Sequence, residues 1–463
     1  MATQALKCER HGEATRLTCV ECGTPICPKC AVRTDVGLKC ENDAKGAELS
    51  KETLALLRPS RTPMYLGAAG VVVLLGILAL VFLRGGSSNN ETPTAQLPAV
   101  GSWTPVPDLV SIRGTTATVL LKDGRALAAG GGVGQQGLAA AELFDPNTGV
   151  WQNTGSLNQA RRGHTAVLLG DGRVLVAGGI NEGTLLDSAE IYDPATGKWT
   201  TVAPMSVPRL GNTLTLLANG NVLATGGTAA DTASGTGGGQ TIRPDATAEI
   251  YNVAANKWTT TSGAMSTPRF EHSATLLDDG RVLIAGGQGP PISGNSAALK
   301  TTEIYDPAVD SFRKSNDMTE ARFNHNALKL PDKTVMVVGG SGGTNGDTSL
   351  ATAEVFDPTT GAWTPAGALT VSRTGASAAA FSDGRVMVAG GETVTRGNRR
   401  SLDSAEIFNL SKREWQSAGK MNCPRSEASA VLLGDGSVLV VAGDFAAPGQ
   451  QPDPKGCADR YHP

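Results

Sequence analysis

Along most of the chain, apolar residues fall in short clustered runs of four or five, separated by polar turns rich in Gly, Asp and Asn. Such runs are too short for helices and bounded by turn residues, so they predict β-strands. The stretch Gly163 to Trp199 shows the unit. TAVLL and RVLVAGG are two β-branched runs, and Asp171-Gly172 between them predicts a two-residue hairpin with positive φ angles. Ala189, Ile191 and Tyr192 predict a third strand, DPATGK a turn, and Trp199 the opening of a fourth. One unit is therefore a four-stranded antiparallel sheet.

The unit recurs. A diglycine stands at Gly130-Gly131, Gly178-Gly179, Gly226-Gly227, Gly286-Gly287, Gly339-Gly340 and Gly390-Gly391, with Gly443-Asp444 as a degraded seventh. The aromatic opener keeps step at Trp103, Trp151, Trp199, Trp258, Phe312, Trp363 and Trp415, 48 to 59 residues apart. Hairpin dipeptides follow the same rhythm at Asp123-Gly124, Asp171-Gly172, Asn219-Gly220, Asp279-Gly280, Asp332-Lys333, Asp383-Gly384 and Asp435-Gly436. Several marks in one order at this period indicate a β-propeller.

These residues resemble the kelch repeat over 103 to 463, and ATLLDDGRVLIAGG at Ala274 looks like the bacterial and galactose-oxidase branch of that superfamily. Trp103 opens a fourth strand with no first three before it, whereas ADRYHP at the C-terminus echoes AEIYDP and stops short of its fourth. Joining the fragments gives an all-β, seven-bladed kelch-type propeller closed by its N-terminal strand, which removes the exposed edges of an open array.

Composition adds little to this picture. Across 463 residues, 40 Lys and Arg face 43 Asp and Glu, so no basic excess points to nucleic acid. The 58 glycines and 4% aromatic content suit a turn-rich β-protein.

Residues 1–45 differ. They carry six of the eight cysteines in successive pairs, Cys8-x2-His11, Cys19-x2-Cys22, Cys27-x2-Cys30 and Cys40-x2-Asp43, and a two-residue gap lets both members of a pair reach one tetrahedral ion. The spacing resembles a B-box-type zinc finger. That resemblance implies a cross-braced module with Cys8, His11, Cys27 and Cys30 on one zinc, and Cys19, Cys22, Cys40 and Asp43 on another. Asp43 departs from the family's usual Cys or His.

A basic segment, 46–63, precedes twenty uncharged residues, 64–83, long enough to cross a bilayer once as a helix. Lys45, Lys51, Arg58 and Arg61 lie before it and only Arg84 closely follows, so the positive-inside rule keeps the zinc module in the cytoplasm and exports the propeller. Residues 84–102, rich in Gly, Ser, Asn and Pro, form a flexible tether. Outside the cytosol, Cys423 and Cys457 are expected to form a disulfide.

Antiparallel order places all the length variation on one face, in loops Thr228 to Thr247, Gln288 to Lys300, Ser341 to Leu350, Glu392 to Leu402 and Asp444 to Gly456. Variable loops on a rigid scaffold predict a binding surface there. Just before each first strand stands an arginine: Arg113, Arg161, Arg209, Arg269, Arg322, Arg373 and Arg425, three of them followed by His164, His272 and His325. Two readings are open. The arginines and histidines form a cationic mouth for a ligand, or each Arg pairs with the third-strand acid of its repeat: Glu142, Glu190, Glu249, Glu303, Glu354, Glu406 or Asp459. The second has the stronger physical argument, since a residue kept in every repeat answers a packing need common to every repeat.

Two functions remain. One is a non-enzymatic, membrane-anchored binding or scaffold protein whose propeller recognises a protein or glycan and whose zinc module meets a cytosolic protein partner. The other, a galactose-oxidase-like copper oxidase, needs tyrosines to spare. Tyr192, Tyr251, Tyr305 and Tyr461 instead occupy the third-strand slot that Phe144, Phe356 and Phe408 fill elsewhere.

Overall fold

The computed structural model describes residues 31–34, 37–40, 101–230, 242–291, 297–343, 346–445, 453–454 and 456–463. The chain divides into two units, Met1–Ala95 and Gln96–Pro463. In the first, the described residues form one hairpin, Ala31–Thr34 paired with Gly37–Cys40. The span 64–83 lies outside the described residues, and among those described no helix is long and apolar enough to cross a membrane.

The second unit is all-β and propeller-like. Among the described residues it contains seven repeat sheets of four antiparallel strands. In six the strands follow in sequential order, and the seventh runs Ser429–Leu432, Val438–Val441, Ala458–His462 and Ser102–Val106. A further sheet joins the loop strands Ser341–Gly342, Thr348–Ser349, Glu392–Thr395 and Asn398–Ser401. In the sheet of the 163–199 stretch the strands are Thr165–Leu168, Val174–Ala177, Ala189–Asp193 and Lys198–Val202. Burial explains the sequence pattern strand by strand. The second strand is buried at every position because both its faces pack on neighbouring sheets, so it reads as an unbroken apolar run. The fourth alternates, with Trp199 buried and Lys198 and Thr200 exposed.

The core lies between sheets. One cluster joins Leu175 and Ile191 of the second repeat to Val222, Tyr251 and Trp258 of the third. The first strands touch in cyclic order, and the last, Ser429–Leu432, touches the first, Ala117–Leu120. The seventh sheet takes its fourth strand from the other end of the unit, with Ser102–Val106 paired along Ala458–His462. Trp103 stacks on Tyr461 at 5.2 Å between ring centroids, as Trp199 does on Tyr192 at 5.0 Å. Its indole N–H donates to the Ala418 carbonyl of the preceding sheet, 2.7 Å away. A disulfide joins Cys423 and Cys457 within this same repeat.

Two local expectations need correction. The Asp-Gly hairpin is a three-residue loop: the Leu169 and Gly172 N–H groups donate to the Arg173 and Leu169 carbonyls, and Gly172 alone takes positive φ, at 94°. Asp171 keeps an ordinary conformation because its carboxylate accepts from the Arg173 backbone N–H and side chain, a type I turn closed by a left-handed glycine. The seventh diglycine is misplaced by one residue. Ala442 (φ 59°) and Gly443 (φ 108°) hold the two left-handed positions, and Asp444 begins the following strand.

The diglycine is a clamp between sheets. The Gly179 N–H donates to the Arg209 carbonyl of the next repeat at 2.8 Å, and a Cβ on Gly178 would stand 2.4 Å from that same oxygen. Glycine takes the left-handed turn without strain and leaves room for this close approach.

Candidate functional site

Each of the seven arginines is fully buried and ion-paired with the third-strand acid of its own repeat. Arg161 is representative. Its Nη1 donates to the carbonyls of Gly178 (2.8 Å) and Ser188 (3.0 Å), and its Nη2 to Glu190 Oε1 at 3.0 Å. Glu190 also accepts the backbone N–H groups of Asn158 and Gln159, so it ties the incoming loop to the sheet. With their charge neutralised and solvent excluded, Arg113, Arg161, Arg209, Arg269, Arg322, Arg373 and Arg425 offer no cationic mouth. They are internal cross-ties.

The histidines behave differently from one another. Nε2 of His272 bonds the Thr225 hydroxyl (2.9 Å) and that of His325 the Ser273 hydroxyl (2.9 Å), so both join neighbouring repeats. His164, 7% exposed, has no side-chain partner, and the Ala129 backbone interacts with its ring. Burial, then the nearby Arg161, pushes the pKa of His164 down to about 3, which keeps its imidazole neutral. Of the nine ligand candidates on the propeller, His164 alone reaches the cavity described next.

That cavity, of about 710 Å³, is lined by residues just after the arginines together with Thr228, Pro244 and Pro291 of the variable loops. Its construction turns on one position. Two residues after each arginine stand Thr115, Gly163, Gly211, Glu271, Asn324, Gly375 and Glu427, and all seven are left-handed, with φ between 44° and 66°. This bend lets the backbone link repeat to repeat. The Glu271 N–H donates to the Gly211 carbonyl (2.9 Å), Asn324 to Glu271 (2.9 Å), Gly375 to Asn324 (3.3 Å) and Glu427 to Gly375 (2.7 Å). The four bonds connect five repeats. Thr115 and Gly163, of the other two, line the cavity.

Its walls combine apolar Leu210 and Phe270 with carboxylates on Glu271 and Glu427. Burial, then repulsion from Glu427, pushes Glu271 up to about 7, opposed by Arg399. Glu427 is also raised, by burial foremost, against the bond it accepts from Asn324 Nδ2 at 2.6 Å. Among the described residues, none that lines the cavity is tyrosine or cysteine. Reading by residue type missed Glu271, Asn324 and Glu427. The available signal was position, since this is the place in the Arg-x-x-His segment where the repeats disagree most in charge.

The tyrosines are engaged in the blades. Tyr192, Tyr251, Tyr305 and Tyr461 each stack on the fourth-strand aromatic at 4.8 to 5.2 Å. Their hydroxyls bond Thr154, Asn256, Asp310 and the Gly101 N–H, away from the cavity.

Of the proposed zinc ligands, Cys8, His11, Cys19, Cys22, Cys27, Cys30 and Asp43 lie outside the described residues. Cys40 ends the described hairpin, where the register sets it opposite Ala31, the neighbour of Cys30 in the chain. A thiolate- and imidazole-rich donor set separated by two-residue gaps suits zinc.

Comparison with known proteins agrees with both regions. The Kelch motif matches at residues 161–206, 332–370 and 373–422, and the B-box zinc finger at 3–35, a span that ends before Cys40 and Asp43. Kelch-like protein 25 of Xenopus tropicalis is 27% identical over 216 residues, covering 45% of this chain and 34% of that protein. Alpha-scruin of Limulus polyphemus is 28% identical over 204 residues, 42% of this chain and 22% of its own. A galactose oxidase of Gibberella zeae is 39% identical over 92 residues, 19% of this chain and 13% of the enzyme. The chain thus spans about a third or less of these relatives. Among solved structures, a fungal alcohol oxidase of the AA5 family in complex with copper is similar in fold, with a TM-score of 0.62 at 18% identity over 79% of this chain and 76% of that one. The chain carries kelch repeats in an all-β propeller-like fold and a B-box zinc finger.

Proposed function

We propose that this is a membrane-anchored, non-enzymatic binding or scaffold protein whose seven sheets are the blades of one closed propeller. In this reading residues 64–83 cross the membrane, the propeller is exported and recognises a protein, and the zinc module meets a partner in the cytosol. The observation that carries the binding role is the cavity. Its lining differs from repeat to repeat in size and charge, whereas everything beneath it repeats. Kelch-like relatives and the B-box match support protein partners over a reaction.

The copper-oxidase reading has less behind it. All four propeller tyrosines are held in blade packing, and the galactose oxidase match reaches only 13% of that enzyme. Metal analysis of the full-length protein separates the two: one or two equivalents of zinc without copper are expected, and a stoichiometric copper would favour the oxidase. Cys8, His11, Cys27 and Cys30 would hold the first zinc and Cys19, Cys22, Cys40 and Asp43 the second, orienting the module by closing its loops.

Binding is tested by panning a displayed random peptide library against the full-length protein in mild detergent. Peptides that lose affinity on Phe270→Ala, which strips the cavity wall, are expected. Recovery of no binders, or of binders indifferent to the loop face, overturns the role. For topology, protease added to intact cells should digest the chain beyond residue 85 and spare the zinc module; a shielded propeller reverses the orientation.

A further inference from the structure

The cavity's chemistry is one-sided. Glu271 and Glu427 bring two carboxylates to it. Against them stands one lining cation, Arg162, whose Nη2 is already bonded to Gln135 Oε1 at 2.7 Å. Arg399, which attracts both carboxylates, is itself ion-paired with Glu392. The lining therefore carries two carboxylates against one guanidinium.

Backbone conformation makes the same point independently. At the left-handed position three repeats use glycine, Gly163, Gly211 and Gly375, which adopts it freely. Glu271 and Glu427 adopt it with φ of 52° and 54°, a strained state for a glutamate. The fold does not need a side chain there, because glycine serves the equivalent turns. Thr115 and Asn324 adopt the same state with φ of 44° and 52°, so four repeats carry a side chain at this position, and two of those side chains are carboxylates lining the cavity.

We propose that the cavity receives a lysine or arginine side chain of a partner protein, its cationic head set between Glu271 and Glu427 and its stem along Phe270. A cation with several N–H donors can satisfy both carboxylates at once. The Phe270 ring adds an apolar face suited to a cation and its alkyl stem. This rests on the protein-binding reading above and names the chemistry of the partner.

The test is calorimetric titration of the full-length protein in mild detergent with three synthetic peptides: acetyl-Gly-Lys-Gly-amide, acetyl-Gly-Arg-Gly-amide and acetyl-Gly-Glu-Gly-amide. At least one basic peptide is expected to bind tenfold or more tighter than the acidic one. The double variant Glu271→Gly, Glu427→Gly should lose that preference. Because glycine is native at three equivalent turns, this variant keeps the fold, which intrinsic tryptophan fluorescence verifies; Glu271→Gln with Glu427→Gln gives a second, size-conserving check. Preference for the acidic peptide, equal binding by the double variant, or no binding by either basic peptide overturns the proposal. The panning experiment distinguishes the levels. Loop-face binders without basic residues remove this inference and leave the protein-binding role standing; no binders remove both.

Discussion

Two rings of residues lie two positions apart in the same seven loops, and they have opposite characters. The arginine ring is identical in all seven repeats, fully buried, and held by carbonyl and carboxylate partners. The ring two residues on shares only its left-handed backbone, while its side chains run from nothing to threonine, asparagine and glutamate. One fold element thus separates two tasks. Where the side chain is constant, it holds the sheet together; where only the conformation is constant, the side chain is free to vary.

The sharpest way to break this comparison is to cut one cross-tie. Glu190→Ala leaves Arg161 buried without its counter-charge and two backbone N–H groups without an acceptor, and about 3–5 kcal/mol of stability should be lost. Urea unfolding followed by tryptophan fluorescence measures it, and all six tryptophans lie between Trp103 and Trp415, so the signal belongs to the propeller. A loss below about 1 kcal/mol would reduce the ring to a surface-like contribution.

Next in size is the clamp. Gly178→Ala forces a Cβ to 2.4 Å from the Arg209 carbonyl at a φ of 73°, and roughly 2–4 kcal/mol should go. Ala442→Gly is its mirror. The seventh repeat already carries the strained alanine, so glycine there should raise stability by about 0.5–1 kcal/mol, visible as a higher urea midpoint. If both substitutions destabilise, the assignment of Ala442 to the clamp is wrong.

A pH-dependent effect belongs to the variable ring. Glu271 is held at about 7 when folded, by burial first and by Glu427 second, whereas an unfolded glutamate titrates near about 4.3. Between those values the folded protein holds a proton that the unfolded chain has released. Stability should therefore rise as pH falls from about 8 towards about 5, with Glu427, also raised, adding in the same direction. Urea midpoints across that range should show the slope, and Glu271→Gly should flatten it. An unchanged slope in the variant would move its origin elsewhere.

Much of this was legible before any coordinates. The four-strand unit, the shared last sheet and the Arg–Glu pairing follow from periodic residue types, because a need that recurs in every repeat leaves the same residue in every repeat. The seventh clamp was read one residue late. Its first glycine is Ala442, and counting glycines led to Gly443-Asp444, while the left-handed backbone that defines the place is not written in residue type. The same blindness hid Glu271 and Glu427. Thr, Gly, Asn and Glu share no side-chain chemistry, only a φ sign, so nothing in composition marks them as one ring. The hairpin was misjudged for a related reason: Asp-Gly serves both the two-residue turn and the three-residue loop, and the carboxylate bond of Asp171 to Arg173 selects the second.

The constant ring serves the fold through its side chains, whereas the variable ring serves it through its backbone alone. Glu427→Gly tests this contrast most directly, since it deletes a carboxylate and a hydrogen bond to Asn324 while relieving a left-handed glutamate. The urea midpoint of this variant, read by tryptophan fluorescence beside that of Glu190→Ala, should be unchanged or raised. A fall comparable to that of Glu190→Ala would show that the axial glutamates hold the fold as the arginines do, and would contradict the account.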